Sequence, residues 1–173
     1  MSSEPSSELK PLNIALLTVS DTRGPKEDTS GQFLEDSISE AGHQLVARRI
    51  LPDDVYLVRA LMSGWIADPE VHEAVEPLLD KTIDGFGEEF RRLSASEIGS
   101  STVQSRAFGG MANHTVIFCL PGSTGACRTG WNGILSSQLD SRHGPCNFSA
   151  LVLRKPDKPM QRINEVIGQR AKR

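Results

Sequence analysis

A chain of 173 residues with 38% hydrophobic and 24% charged residues has the size and composition of one soluble domain with a real core. Its net charge of −3 and 5% aromatic content exclude a basic field or a stacking platform for nucleic acid. No apolar run approaches the ~20 residues that span a bilayer, so a membrane role is not expected.

Met1 to Pro11 is rich in Ser, Glu and Pro and is expected to be disordered, neither a signal peptide nor an anchor. Asn13 to Ser20 is a near-continuous apolar run and predicts a strand buried on both faces, as in a parallel sheet. It ends in a polar loop, Ser20-Asp21-Thr22-Arg23-Gly24-Pro25. Phe33, Leu34, Ile38 and Ala41 then recur at helical spacing, with Thr29 or Ser30 as the expected cap and Gly42 as the stop. Leu45 to Leu51 predicts a second strand, and the order strand, helix, strand predicts parallel pairing.

Pro52-Asp53-Asp54 is a turn that opens the next helix, whose apolar positions are Val55, Leu57, Val58, Leu61, Met62, Trp65 and Ile66. Asp68-Pro69 marks its stop, and Val71-His72-Glu73 leads into a helical pattern from Ala74 to Leu79. Asp84 to Glu88 is expected as a glycine-bracketed turn before a helix carrying Phe90, Leu93 and Ile98. Ser105 to Met111 predicts a short edge strand, and Thr115 to Leu120 a buried one. Pro121-Gly122-Ser123-Thr124-Gly125 follows, and a helix begins near Ala126 with Trp131, Ile134, Leu135 and Leu139. Phe148 to Leu153 predicts a last, peripheral strand, and residues 154–173 a basic tail with a marginal helix over Ile163 to Ile167.

Cys119, Cys127 and Cys146 are odd in number and form no CxxC pair, which predicts free thiols in a reducing cytoplasm. His43, His72, His114 and His143 lack metal spacing and are expected to be structural or surface groups.

The candidate chemistry sits at strand ends. Pro121 to Gly125 follows a strand and opens a helix, an arrangement that offers backbone N–H groups to an anion or simply caps the helix. Ser20-Asp21 lies at the carboxyl end of the first strand, where open α/β sheets bind ligands. Thr29-Ser30-Gly31 is a second helix start on that edge. Asp21 could orient a hydroxyl, bind magnesium or cap a turn; Asp53 and Asp54 suit a helix dipole, and Glu88 an exposed helix face. Ser105-Arg106 could place a guanidinium on a phosphate or form a surface ion pair.

In order, Leu-Leu-Thr-Val-Ser-Asp, Asp-Thr-Ser-Gly, Leu-Pro-Asp, Gly-Phe-Gly-Glu, Ile-Gly-Ser-Ser-Thr, Gln-Ser-Arg, Leu-Pro-Gly-Ser-Thr and Pro-Cys-Asn-Phe form a set that resembles the molybdenum cofactor biosynthesis protein B family, relatives of the molybdopterin adenylyltransferases. The resemblance covers residues 12–153 as one molybdopterin-binding domain. It implies an α/β fold, a three-layer α/β/α sandwich with a mostly parallel central sheet. It implies a pterin-phosphate site at Ser20, Asp21, Ser30, Gly31, Gly85, Gly87, Glu88, Ser105, Arg106, Pro121, Gly122 and Ser123, with Asp53 and Asp21 in catalysis and Asp53 on magnesium. It also implies ATP or GTP with Mg²⁺ as co-substrate, adenylyl transfer as the chemistry, and a homotrimer or homohexamer.

One departure stands out. After the helix that ends near Asp68-Pro69, the family pattern has another strand, a Thr-Gly-Gly-Thr-Gly phosphate loop and an acidic residue. This chain lacks about 15 to 20 residues there, the size of one strand plus a loop. That strand is implied to lie inside the sheet, beside the first strand. Its loss leaves three arrangements: a re-closed sheet, a strand lent by a neighbour, or a deletion product. The resemblance therefore carries pterin binding further than adenylyl transfer, and a non-catalytic pterin-binding or assembly protein is the alternative.

Overall fold

The computed structural model describes residues 8–67 and 79–153. The expectations for Asp68-Pro69, for Val71-His72-Glu73 and the pattern from Ala74 to Leu78, and for residues 1–7 and 154–173 lie outside the described residues.

Strand β1 (Asn13–Val19) pairs in parallel with β2 (Gln44–Leu51), joined by helix α1 (Thr29–Glu40), as the strand–helix–strand pattern predicts. The cap of α1 is Asp28, not Thr29 or Ser30: its carboxylate accepts the Gly31 N–H at 2.9 Å. A carboxylate outcompetes a hydroxyl here because it also faces the helix dipole. Gly42, at φ +81°, turns the chain out of α1 in a conformation that disfavours any residue with a Cβ. Helix α2 (Val55–Ala67) starts at Asp54, whose Oδ1 accepts the N–H groups of Tyr56 at 2.8 Å and Leu57 at 3.1 Å. Val58, Met62 and Trp65 are its buried face, whereas Val55 and Leu57, predicted on that face, are exposed in its first turn.

A two-residue strand β3 (Lys81–Thr82) precedes helix α3 (Asp84–Ile98), which continues into a 3-10 segment, Gly99–Gln104. Asp84 to Glu88 is thus the first turn of a helix and not a free-standing turn. Strands β4 (Phe108–Ala112) and β5 (Thr115–Cys119) form a hairpin through Asn113, which adopts φ +54°. β4 is the middle strand of the antiparallel sheet β3-β4-β5 rather than an edge, because β3 covers its other side. Helix α4 (Thr124–Gly130) runs through a π turn (Trp131–Leu135) into α5 (Ser136–Gln138).

The predicted strand at Phe148 to Leu153 is instead a short helix, α6 (Ser149–Val152). Asn147 explains it. Its Oδ1 accepts the Ala150 N–H at 2.9 Å and the Ser149 hydroxyl, a local cap that commits the chain to a helical turn.

Strand alternation builds two cores. Ile14, Phe118 and Leu120 point to one face and pack with Ile38, Phe86, Phe90, Trp131 and Leu135 from α1, α3 and the helix after β5. Ala15, Leu17, Ile117 and Cys119 point to the other and pack with Val58, Met62 and Trp65 of α2. Each large apolar side chain so buried contributes about 1.5–3 kcal/mol. The result is helices on both faces of a strand layer.

That layer is not one mostly parallel sheet. Among the described residues β1 pairs only with β2, and β5 only with β4, which leaves a parallel pair and a separate antiparallel sheet. Between them lies a cavity of about 280 Å³ lined by β1, β5, α1, α2 and the helix after β5. The halves stand apart because no strand of the described chain fills the space. At ~24 cal/mol per Å³ the lost packing is worth at most about 7 kcal/mol, comparable with the net stability of a whole domain.

Candidate functional site

Despite that gap, the loops at the carboxyl ends of β1 and β5 are tied together. The Ser30 hydroxyl donates to the Gly122 carbonyl at 2.8 Å, and Arg23 Nη1 donates to the same oxygen at 2.7 Å. Thr29 and Thr124 share a hydroxyl contact at 2.9 Å. The Arg23 N–H also donates to the Ser20 hydroxyl at 3.2 Å, which folds the Ser20-Asp21 loop onto the same rim. One oxygen of Asp21 accepts the Asp53 N–H at 2.9 Å, so the ends of β1 and β2 carry two neighbouring aspartates, both exposed. Asp54, not Asp53, caps α2, and Asp53 is the aspartate that joins the rim.

Beyond Gly122 the rim continues into a recess of about 730 Å³ lined by Ser105, Arg106, Phe108, Pro121 and Gly122. Arg106 is exposed there, while the Ser105 hydroxyl accepts the Ala107 N–H at 3.2 Å. Phe108 also lines a smaller recess of about 140 Å³ with Asp84, Gly87, Glu88 and Arg91. Phe108 is thus common to both recesses, and in the smaller one Arg91 Nη1 donates to the Ala107 carbonyl at 3.2 Å.

The sequence-derived residues divide as follows. Ser20, Asp21, Ser30, Asp53, Pro121, Gly122, Ser105 and Arg106 are connected along one rim. Ser123 adjoins it, with its hydroxyl engaged as the α4 cap, accepting the Ala126 N–H at 3.2 Å. Gly87 and Glu88 line the second recess; Gly87 is glycine because a Cβ would meet the Ala107 carbonyl oxygen at 2.5 Å. Gly85 is exposed and a Cβ there would meet nothing within 4 Å. Gly31 is buried, and its missing side chain makes room for Asp28, whose Oδ2 would lie 2.0 Å from a Cβ.

Two side chains that hold the rim in place escaped the sequence reading. Arg23 joins loops 99 positions apart, a pairing no local pattern announces. Asp28, only 1% exposed, anchors the start of α1: it accepts from Thr18 at 2.9 Å and pairs with Arg48 at 3.0 Å. Burial opposes its ionisation, but the Gly31 N–H, the Arg48 guanidinium and the Thr18 hydroxyl prevail and hold it below the ordinary carboxylate value. Arg48 also pairs with Glu35 on α1. Cys127 lies behind the rim; burial, with Asp28 nearby, pushes its thiol up to about 11, so it is neutral at physiological pH. None of the three cysteines forms a disulfide among the described residues.

Asp21 and Asp53 are hard oxygen donors of the kind that bind magnesium together with ligand phosphates and water. Among the described residues no group of three or more His, Cys, Asp or Glu side chains gathers to hold a metal ion, so any such ion would take most of its ligands from the phosphates and water. No described helix is long and apolar enough to cross a membrane.

Comparison with known proteins gives consistent relatives. The family model described as "Probable molybdopterin binding domain" matches residues 63–141. Molybdenum cofactor biosynthesis protein B of Escherichia coli K12 is 48% identical over 163 residues, covering 84% of this chain and 96% of the relative. The Bacillus subtilis protein of the same name is 38% identical over 142 residues, 72% of this chain and 84% of the relative. In both alignments the relative's span exceeds this chain's by about 15 to 20 residues, one strand and a loop. Among solved structures, a molybdenum cofactor biosynthesis protein B aligns with TM-score 0.71 at 34% identity over 75% of this chain and 92% of that chain. The tungsten cofactor synthesizing protein MoaB from Pyrococcus furiosus aligns with TM-score 0.64 at 30% identity over 74% and 92%.

Proposed function

The chain belongs to the molybdenum cofactor biosynthesis protein B family, and from that premise we propose that it serves molybdenum cofactor biosynthesis by holding molybdopterin at the rim formed by Ser20, Arg23, Ser30 and Gly122. The observation that carries this reading is the pair of hydrogen bonds that Ser30 and Arg23 donate to the Gly122 carbonyl. It keeps two helix starts and a guanidinium at one edge although the sheet beneath is split. Backbone N–H groups and Arg23 suit the terminal phosphate, and the recess beside Arg106 has room for the ring system.

Adenylyl transfer is the finer reading. The pterin phosphate, already anionic, attacks the α-phosphate of ATP or GTP and pyrophosphate leaves, so no strong general base is needed. The protein's part is to align the two phosphates and to stabilise charge with N–H groups and Arg23. Asp21 and Asp53 would hold Mg²⁺, which neutralises phosphate charge when bound. We assign this activity to the cytoplasm and to a homotrimeric or homohexameric assembly, as the resemblance implies. The open cleft beside β1 favours a second reading, a pterin-holding protein that no longer carries out the transfer.

Titration by calorimetry separates these readings. Saturable molybdopterin binding without magnesium is expected. Mg²⁺–ATP binding should weaken about tenfold in Asp53→Asn, with pterin affinity unchanged, the worth of one charge-assisted contact. Absence of saturable molybdopterin binding overturns the pterin reading. Pterin binding without AMP transfer leaves the holding role alone.

A further inference from the structure

Gln104, Ser105 and Arg106 supply polar groups to the recess beside Gly122, and Phe108, Leu120 and Pro121 add apolar surface to it. The backbone that carries the polar groups is held. The Thr102 hydroxyl donates to the Arg91 carbonyl at 2.9 Å, and the Ser105 N–H donates to the Thr102 carbonyl at 3.0 Å, so the 3-10 segment ends in a fixed turn against α3. The side chains are not held. Gln104 and Arg106 are exposed, and neither side chain has a hydrogen bond or an ion pair with any described residue. The Ser105 hydroxyl accepts the Ala107 N–H at 3.2 Å and keeps its own proton to donate. A concave, largely apolar recess with a few uncommitted polar groups on a fixed backbone is the form that orients a small ligand.

We propose that Gln104 reads the pyrimidine edge of the pterin, its carboxamide oxygen accepting the ring N3–H and its nitrogen donating to the 4-oxo group; this rests on the pterin reading of the recess given above. That edge sets a donor beside an acceptor in one plane. A guanidinium only donates, and a hydroxyl presents its donor and acceptor on one atom, whereas a carboxamide carries the two side by side. Among the described residues that line the recess, Gln104 is the one whose side chain has such a pair. The faces of the ring then have Phe108, Leu120 and Pro121 to pack on. Ser105 and Arg106 bring further donors, which suit the ligand's oxygens and not its N–H groups.

Calorimetry on the whole protein, with molybdopterin and separately with Mg²⁺–ATP, tests the assignment. Gln104→Met keeps the length of the side chain and removes both polar groups. It should weaken molybdopterin binding about tenfold, the worth of a neutral donor–acceptor pair, and leave Mg²⁺–ATP binding unchanged. Gln104→Glu accepts from the N3–H and the 2-amino group together and should recover most of that loss. Both variants should melt with the parent protein, because the side chain holds nothing in the fold. Equal molybdopterin affinity in the parent and in Gln104→Met overturns this inference and leaves the pterin reading standing. An undiminished loss in Gln104→Glu contradicts it too, since recognition of the ring edge requires the rescue. A loss confined to Mg²⁺–ATP gives the side chain to a nucleobase edge and rules out the assignment to the pterin. No saturable molybdopterin binding to the parent protein overturns the pterin reading itself, and this inference with it.

Discussion

His43 is 6% exposed, and its Nδ1 accepts the Leu12 N–H at 3.3 Å. Burial lowers its pKa below the ordinary 6.5, and nearby Asp140 only partly restores it. A proton on Nδ1 would also set two donors against each other. The unfolded chain takes up this proton near pH 6.5 and the folded chain only at lower pH, so between those values the unfolded state holds more protons and stability rises with pH. The stabilisation is complete above pH 6.5 and is lost as pH falls below it. Urea midpoints measured at pH 7.5 and 5.5 should therefore differ, with the lower at 5.5, and the difference should shrink in His43→Gln. Asp140 does not confuse the window: its bonds to Arg142 hold it at about 2, well below this range. Asp28 shows the same logic in reverse. It is a buried acid made tolerable by Arg48, Thr18 and the Gly31 N–H, and what it stabilises is the start of α1 beside the rim.

At the scale of elements, what the sequence announced were the segments whose signal is local. The apolar runs at β1, β2 and β5, and the spaced apolar residues of α1, α3 and the helix after β5, all appear as predicted. The errors have physical causes. Ser149 to Val152 reads as strand by composition, but the Asn147 side chain caps it into a helix. Gly85 and Gly87 read as a turn, yet they lie in the first turn of α3 for different reasons. Gly87 lets the helix approach Ala107, while nothing surrounds Gly85. This difference makes a prediction. Gly87→Ala pushes a Cβ against a backbone oxygen and should cost about 1–3 kcal/mol in chemical denaturation, because helix and strand must separate. Gly85→Ala should be neutral or stabilising by about 0.5–1 kcal/mol. If Gly85→Ala also weakens molybdopterin binding, Gly85 serves the ligand; if it does not, its place among the candidate residues rests on the sequence motif alone.

For the whole molecule, the motif order was enough to identify the family and to propose an edge for the ligand, but not the way that edge is held. The candidate residues Ser20, Asp21, Ser30, Asp53 and Gly122 were readable because each sits at a strand or helix end. Arg23 was not, because its role exists only once loops 99 positions apart are brought together. Nor could the sequence choose between a re-closed sheet and an open one. Among the described residues β1 and β5 belong to separate sheets, and two cores, one on each face, join the halves. The consequence is a division of labour: among the described residues the strand layer is interrupted, while the proposed ligand edge is bridged by Arg23 and Ser30. Amide hydrogen exchange with and without molybdopterin addresses that claim directly. The ligand should slow exchange across 20–24 and 122–126 together, and Arg23→Ala should remove both effects while leaving β2 and β4 unchanged. Protection confined to one of the two loops, or undiminished in Arg23→Ala, would contradict a shared, bridged site.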